Sequence, residues 1–333
     1  MIISRSPVRI TLGGGGTDLP SYYEKYGGAL IAAAINKYTL VTAHTRFDDD
    51  IKINYSKTEI VKNPNQVKHN IFREALKLLK IKKGIELTSL SDMPSSSGLG
   101  TSGSFTIALL NALHNYKKEF VSQKKLAEEA CHIEMDILKE PIGKQDQYIA
   151  SFGGITYFEF EKNGNVKVKP LKLSEEAVDE LHSNIILFYT GIQRSASKIL
   201  KKQDDDGKKN ASRTIDTLHQ IKKIGKDTKK AFENDDIDKL GEYLDTHWNI
   251  KKNLSNKISN PFIDKCYNHA KKNGALGGKI IGAGGGGFFM FYHNGSVSKK
   301  TRFIKEMGKI GLKKMRYTFD FEGAKIILNM KNI

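Results

Sequence analysis

The residues with the most chemistry in them are Pro94-Ser95-Ser96-Ser97-Gly98-Leu99-Gly100-Thr101-Ser102-Gly103-Ser104, which run straight into the apolar stretch Phe105 to Leu113. Glycines in such a loop let backbone N–H groups turn inward as an anion nest, and the start of the following helix adds its positive dipole end. Hydroxyls at a helix start can bond phosphate oxygens or complete the coordination of Mg²⁺. Ser95, Ser96, Ser97, Gly98, Leu99, Gly100, Thr101 and Ser102 therefore have the make-up of a cradle for a nucleoside triphosphate. It is not a Walker loop, because Thr101 stands where that motif needs lysine. The other near match, Gly274 to Lys279, is followed by Ile280 and has no hydroxyl. A plainer alternative for residues 94–104 is a surface loop with a Ser-rich helix cap.

Two further glycine clusters lie near the ends of the chain: Arg9-Ile10-Thr11-Leu12-Gly13-Gly14-Gly15-Gly16-Thr17-Asp18 and Gly282-Ala283-Gly284-Gly285-Gly286-Gly287. The second formally fits Gly-x-Gly-x-x-Gly, but that fingerprint must open a helix. Here it leads into Phe288-Phe289-Met290-Phe291-Tyr292, so the pattern predicts strand, tight turn, strand, with backbone free to approach something closely.

A helix is predicted from Ser122 to about Lys139, stopped by Pro141. At 100° per residue, Leu126, Ala127, Ala130, Ile133, Ile137 and Leu138 share one arc, and Glu134 projects into its middle. A carboxylate on a packed face costs several kcal/mol unless it is paired or metal-bound. Either an ion pair with Lys or Arg or a metal would answer that cost.

The three glycine clusters, in this order and spacing, resemble the three motifs of the GHMP kinases, the family of galactokinase, homoserine kinase, mevalonate kinase and phosphomevalonate kinase. The likeness covers nearly the whole chain. Within the family, Arg9 to Asp18, Glu140-Pro141-Ile142-Gly143-Lys144-Gln145-Asp146-Gln147-Tyr148 and Ser151-Phe152-Gly153-Gly154 resemble most closely the D-glycero-D-manno-heptose 7-phosphate kinases. The resemblance implies an α+β fold of two domains. Residues 1–178 would be like ribosomal protein S5 domain 2, and residues 179–333 ferredoxin-like. It implies ATP as co-substrate and Mg²⁺ between Ser102 and Glu134, which lies twelve residues before Asp146. Asp146, otherwise an ordinary N-cap, aligns with the aspartate that accepts the proton of the attacking hydroxyl. Arg9, otherwise a surface ion pair at a strand end, would sit beside Asp146 and stabilise the developing alkoxide. Asp18, otherwise a helix cap, would bind sugar hydroxyls with Gly15, Gly16 and Thr17. Where galactokinase has Gly-Glu-His-Thr-Asp, this chain has Gly14-Gly15-Gly16-Thr17-Asp18, which removes a polar contact and opens space beside the sugar.

The implied activity is phosphorylation of the anomeric C1 hydroxyl of D-glycero-D-manno-heptose 7-phosphate to the 1,7-bisphosphate, a step toward nucleotide-activated heptose and surface polysaccharide. Other possibilities stay open: C1 kinases of the fucose or galactose type, and a sugar- and ATP-binding regulator without catalysis. A distal phosphate needs a cationic receptor. Arg194, one of only eight arginines, stands four before Lys198 where a strand gives way to a helix, and the pair is assigned that role.

Composition fits these expectations. The chain of 333 residues is long enough for two cores. No apolar run reaches membrane-spanning length, no secretory leader pattern opens the sequence, and Cys131 and Cys266 are isolated, so a cytoplasmic enzyme, monomer or homodimer, is expected. The formal charge of +17 is carried mainly by dispersed lysine. That favours a solvated surface and attraction of anionic substrates over nucleic-acid binding. Strands are predicted at 2–6, 38–46, 51–55, 85–91, 153–160, 166–171 and 185–189, and helices at 69–79 and after Asn260-Pro261. Asp204 to Lys209 reads as an exposed loop.

Overall fold

The computed structural model describes residues 1–94, 96–193, 205, 212–252, 254 and 258–330. Two sheets organise them. β1 (Ile2–Gly13) pairs antiparallel with the long β2 (Gly28–Thr45) along nearly its whole length. β5 (Ile85–Ser91) takes the far half of β2, and it is joined in parallel by β3 (Ile51–Asn54), with β4 (Thr58–Val61) outermost. The near half of β2 pairs instead with β6 (Ile155–Phe160), which forms a hairpin with β7 (Val166–Pro170). After the helix Glu175–Asn184 the chain enters the second sheet. Its strands β8 (Ile185–Tyr189), β9 (Gly277–Ile280), β10 (Phe288–Tyr292) and β11 (Lys313–Met315) lie in the order β11-β8-β10-β9, all antiparallel. That is the ferredoxin-like order, fourth-first-third-second. β12 (Lys325–Asn329) then returns to pair with β1, so the two sheets do not divide the chain at a single point.

One hydrophobic cluster joins the sheets: Val8, Ile10 and Leu12 of β1 pack with Leu187 of β8 and Phe288, Met290 and Tyr292 of β10. A second cluster fills the far side of the first sheet around Phe72, Ile107, Leu110 and Leu113. The helix Thr101–Tyr116, buried from Thr106 to His114, is the central support of that side. No helix among the described residues is long and apolar enough to cross a membrane.

The predicted helix from Ser122 to Lys139 is corrected in its second half. Ser122 caps an α-helix over Gln123–Cys131 by accepting from the Lys125 N–H at 3.2 Å, but His132–Ile137 winds as a π-helical turn. The wider turn shifts the register. Ile133 and Glu134 stay buried, whereas Ile137, expected on the packed arc, is exposed.

The third glycine cluster is the predicted turn between two strands, β9 and β10, and what it approaches is the phosphate-type loop. Gly287 has φ +83°, and a Cβ there would lie 2.3 Å from the Ser97 carbonyl oxygen. Gly98 and Gly282 meet in the same way, backbone on backbone. Gly287→Ala is therefore expected to lower stability by about 2–3 kcal/mol and to weaken nucleotide binding. Denaturant titration with and without an ATP analogue checks it, and an unchanged midpoint would refute the close seating.

Candidate active site

A cleft of about 840 Å³ opens where the first sheet, the loop 96–103 and the third glycine turn converge. Ser96, Ser97, Gly98, Gly100, Thr101 and Ser102 line it, and Ser95 lies outside the described residues. The loop is pinned from beneath. Leu99 turns its side chain fully into the core, and its carbonyl accepts from the Arg9 N–H at 2.9 Å. Gly98 and Gly100 take positive φ, as the sharp path requires, and Gly100 leads into the helix Thr101–Tyr116. The result is a helix N-terminus aimed into a cleft, under a loop rich in N–H and hydroxyl donors.

Asp146 stands on the first turn of the helix Gln145–Phe152 and faces this loop at close range. A Cβ at Gly100 would be 3.0 Å from its Cγ, and one at Gly103 would be 2.8 Å from its Cβ. Arg9 is not at a strand end on the surface but mid-strand in β1 and 5% exposed. Its Nε donates to Asp146 Oδ1 at 2.8 Å, its Nη2 is 2.7 Å from the same oxygen, and its Nη1 donates to the Gly98 carbonyl at 2.6 Å. One guanidinium thus ties the carboxylate to the loop. Gln145 adds a third donor to Oδ1 at 3.0 Å, and Thr11 Oγ1 donates to the Gln145 Oε1 at 2.8 Å.

Glu134 meets Ser102 across the helix start. The Ser102 hydroxyl donates to Glu134 Oε2 at 2.7 Å, and Gln147 Nε2 donates to Oε1 at 3.0 Å. Glu134 is 2% exposed, and no ion pair to Lys or Arg forms at it among the described residues. Burial pushes its carboxyl above the usual range, the hydrogen bonds from Gln147 and Ser102 pull the other way, and the charge of Asp146 adds to the rise. A buried carboxylate with no cation, facing a hydroxyl at the mouth of an anion cradle, fits the oxygen donors that Mg²⁺ prefers.

Asp18 does not cap the helix Pro20–Tyr26, whose cap position is Leu19. Its Oδ1 accepts from the Gly16 N–H at 3.0 Å and its Oδ2 from the Gln145 N–H at 3.1 Å, so it is fixed beside Asp146. Burial raises its pKa, these N–H groups oppose the rise, and Asp146 reinforces it. Gly15 and Gly16 line the cleft with it. Thr17 faces away: fully buried, it donates within reach of the carbonyls of Gly14 and Ala29 and accepts from the Ala29 N–H, so its side chain holds the turn rather than the cleft wall. Arg194 and Lys198 lie outside the described residues, as does most of the predicted 204–209 loop.

The cleft also holds residues that sequence reasoning missed. Gln145 and Gln147 flank Asp146 within the stretch 140–148, and their amide groups were the available signal. Tyr55, His69 and Phe105 form an aromatic wall, with the His69 and Phe105 rings 5.5 Å apart. Buried Lys251, Lys279 and His247 form another wall, and nothing local in the sequence marks them. An adjoining hollow of about 720 Å³ shares Glu140 and Ile142 with the cleft and holds none of the predicted site residues.

Comparison with known proteins agrees with this geometry. The description "GHMP kinases N terminal domain" matches residues 65–154, and "GHMP kinases C terminal" matches residues 228–310. The chain is 31% identical over 336 residues to a D-glycero-alpha-D-manno-heptose 7-phosphate kinase of Campylobacter jejuni, covering 97% of this chain and 98% of that protein. It is 23% identical to a galactokinase of Pyrococcus furiosus, covering 86% and 87%. The crystal structure of a D-glycero-D-manno-heptose 1-phosphate kinase from Bacteriodes thetaiotaomicron superposes with a TM-score of 0.82 at 26% identity, covering 99% of this chain and all of that one. With both family domains matched in order and a relative 31% identical along almost its entire length, the chain belongs to the GHMP kinases.

Proposed function

We propose that this GHMP kinase transfers the γ-phosphoryl group of ATP to the anomeric C1 hydroxyl of D-glycero-D-manno-heptose 7-phosphate, giving the 1,7-bisphosphate for nucleotide-activated heptose and surface polysaccharide. The observation that carries the reading is the Asp146 carboxylate, tied by Arg9 to the Gly98 carbonyl and packed against Gly100 and Gly103. A carboxylate held there could accept a proton beside the cradle in which a γ-phosphate would lie, which supports the reading. The acceptor sugar is supported by the Campylobacter relative; at Gly15 a Cβ would lie 3.0 Å from Thr11 Cγ2, so the missing side chain lets Thr11 pack there rather than opening room beside Asp18.

In this reading the triphosphate lies over residues 95–102. The C1 hydroxyl gives its proton to Asp146 as its oxygen attacks the γ-phosphorus and ADP leaves. Arg9 and the N–H groups at the start of the helix Thr101–Tyr116 stabilise the charge that develops. Asp18 holds sugar hydroxyls. Ser102 and Glu134 would hold Mg²⁺, which when bound neutralises phosphate charge and polarises the γ-phosphorus. The enzyme is placed in the cytoplasm, in keeping with free, buried Cys131 and Cys266.

The test is ADP release with Mg²⁺ across an acceptor panel of D-glycero-D-manno-heptose 7-phosphate, sedoheptulose 7-phosphate, galactose, fucose, mannose and mevalonate. Turnover confined to the manno-heptose phosphate is the expected result. Preference for an unphosphorylated sugar would overturn the acceptor and keep the chemistry.

A further inference from the structure

The cleft contains more cationic side chains than phosphoryl transfer from the loop 96–103 uses. Its described basic side chains are Arg9, Lys68, Lys251 and Lys279, with the two imidazoles His69 and His247, whose pKa values burial lowers. Arg9 is engaged by Asp146. Lys68 is exposed, next to the aromatic wall of Tyr55 and His69. Lys251 and Lys279 remain, 8% and 3% exposed, and no carboxylate comes within ion-pair distance of either among the described residues.

Their placement is specific. Lys251 ends the helix Lys239–Lys251 and donates to the Gly282 carbonyl at 2.7 Å, which seats it on the third glycine turn. His247 lies one turn earlier on the same helix face. Lys279, in β9, brings its Nζ to 3.5 Å from His247 Nδ1. His247 is 1% exposed, and its Nε2 has no hydrogen-bond partner among the described residues. Two buried lysine amines and an orphaned imidazole nitrogen thus line one wall of an open cleft, and burial beside Lys251 and Arg9 pushes the Lys279 pKa down. Burying lysine ammonium groups without an opposite charge is unfavourable by several kcal/mol, and an anion entering the cleft would relieve it. Burial, with Arg9 adding and Asp18 opposing, already draws the Lys251 pKa down to about 8. Lys251, Lys279 and His247 line the same cleft as Gly15, Gly16 and Asp18.

We propose that Lys251, Lys279 and His247 form a subsite for a phosphate dianion, and that its ligand is the remote phosphate of the acceptor sugar. The identity of the ligand rests on the function proposed above; the anion subsite rests on the geometry alone. Two lysines converging on one dianion, with an imidazole N–H as a third donor, give charge-assisted bonds of the stronger kind. The nucleotide already has its own cradle in the loop 96–103, which leaves this wall to the other substrate.

The experiment is equilibrium calorimetry on the full chain loaded with a non-hydrolysable ATP analogue and Mg²⁺. D-glycero-D-manno-heptose 7-phosphate is titrated against its unphosphorylated heptose for the unaltered protein, Lys251→Met and Lys279→Met. Each lysine variant should lose about tenfold or more of the preference for the phosphorylated sugar, while affinity for the unphosphorylated heptose and the analogue stays within about threefold. Retention of the preference in both lysine variants, or equal weakening toward both sugars, would overturn the assignment. If the unaltered protein proves to use another acceptor, the function above fails by itself. Inorganic phosphate then decides the subsite: it should bind the analogue-loaded unaltered protein and not Lys251→Met, and failure to bind the unaltered protein overturns it.

Discussion

Asp146→Asn is expected to lower kcat by about 10²–10⁴-fold, the range over which a positioned general base acts. Asparagine keeps the shape and one acceptor oxygen for the Arg9 fork, so the helix start and the loop 96–103 should hold their places. What disappears is the negative charge that would take the acceptor's proton in the proposed mechanism. Affinity for a non-hydrolysable ATP analogue should therefore stay within about threefold of the unaltered enzyme. The split matters because Arg9 also bonds the Gly98 carbonyl, so damage to the loop would show first in nucleotide binding. A kcat within tenfold of the unaltered value would remove Asp146 as the base. A large loss of analogue binding would recast it as a residue that only anchors Arg9.

The parts of this site that were legible in the sequence share a property. Their side chains and turns are set by local composition. A glycine-hydroxyl run before an apolar stretch announces its loop and helix wherever the chain goes. The same holds for Asn260-Pro261, which caps its helix through the Ile263 N–H, and for β5 and β8, found at their predicted limits. Elements that depend on distant partners were harder. β1 was expected to end at Ser6, before a proline, yet it runs on to Gly13 because Pro7 falls at a register irregularity where the ladder does not need its N–H. The first half of β2, Gly28 to Ile35, is covered on both faces and so lacks alternation. Lys251 and Lys279 were invisible for a related reason. In a chain so rich in lysine, only the meeting of a helix end with β9 separates two buried lysine amines from a solvated surface.

Glu134→Gln separates stability from activity more sharply than any other single change. In the protein without ligands the Glu134 carboxylate is buried, and burial with the nearby Asp146 charge pushes its pKa up. Its partners are uncharged: the Ser102 hydroxyl and the Gln147 amide. A glutamine fits both, since its oxygen can accept from Gln147 while its amide nitrogen donates to the Ser102 oxygen. Removing the charge should raise the stability of the free protein by about 1–3 kcal/mol, read as a higher denaturant midpoint. The same change removes the carboxylate that, in the proposed mechanism, would hold Mg²⁺ with Ser102. The Mg²⁺-dependent part of the stabilisation by an ATP analogue should then vanish, and kcat should fall by about 10²-fold or more. A structural carboxylate would give the reverse pattern, a less stable protein with turnover nearly intact. Gain in the free protein together with loss in the loaded one is the signature of a side chain kept at a cost for the ion that it binds.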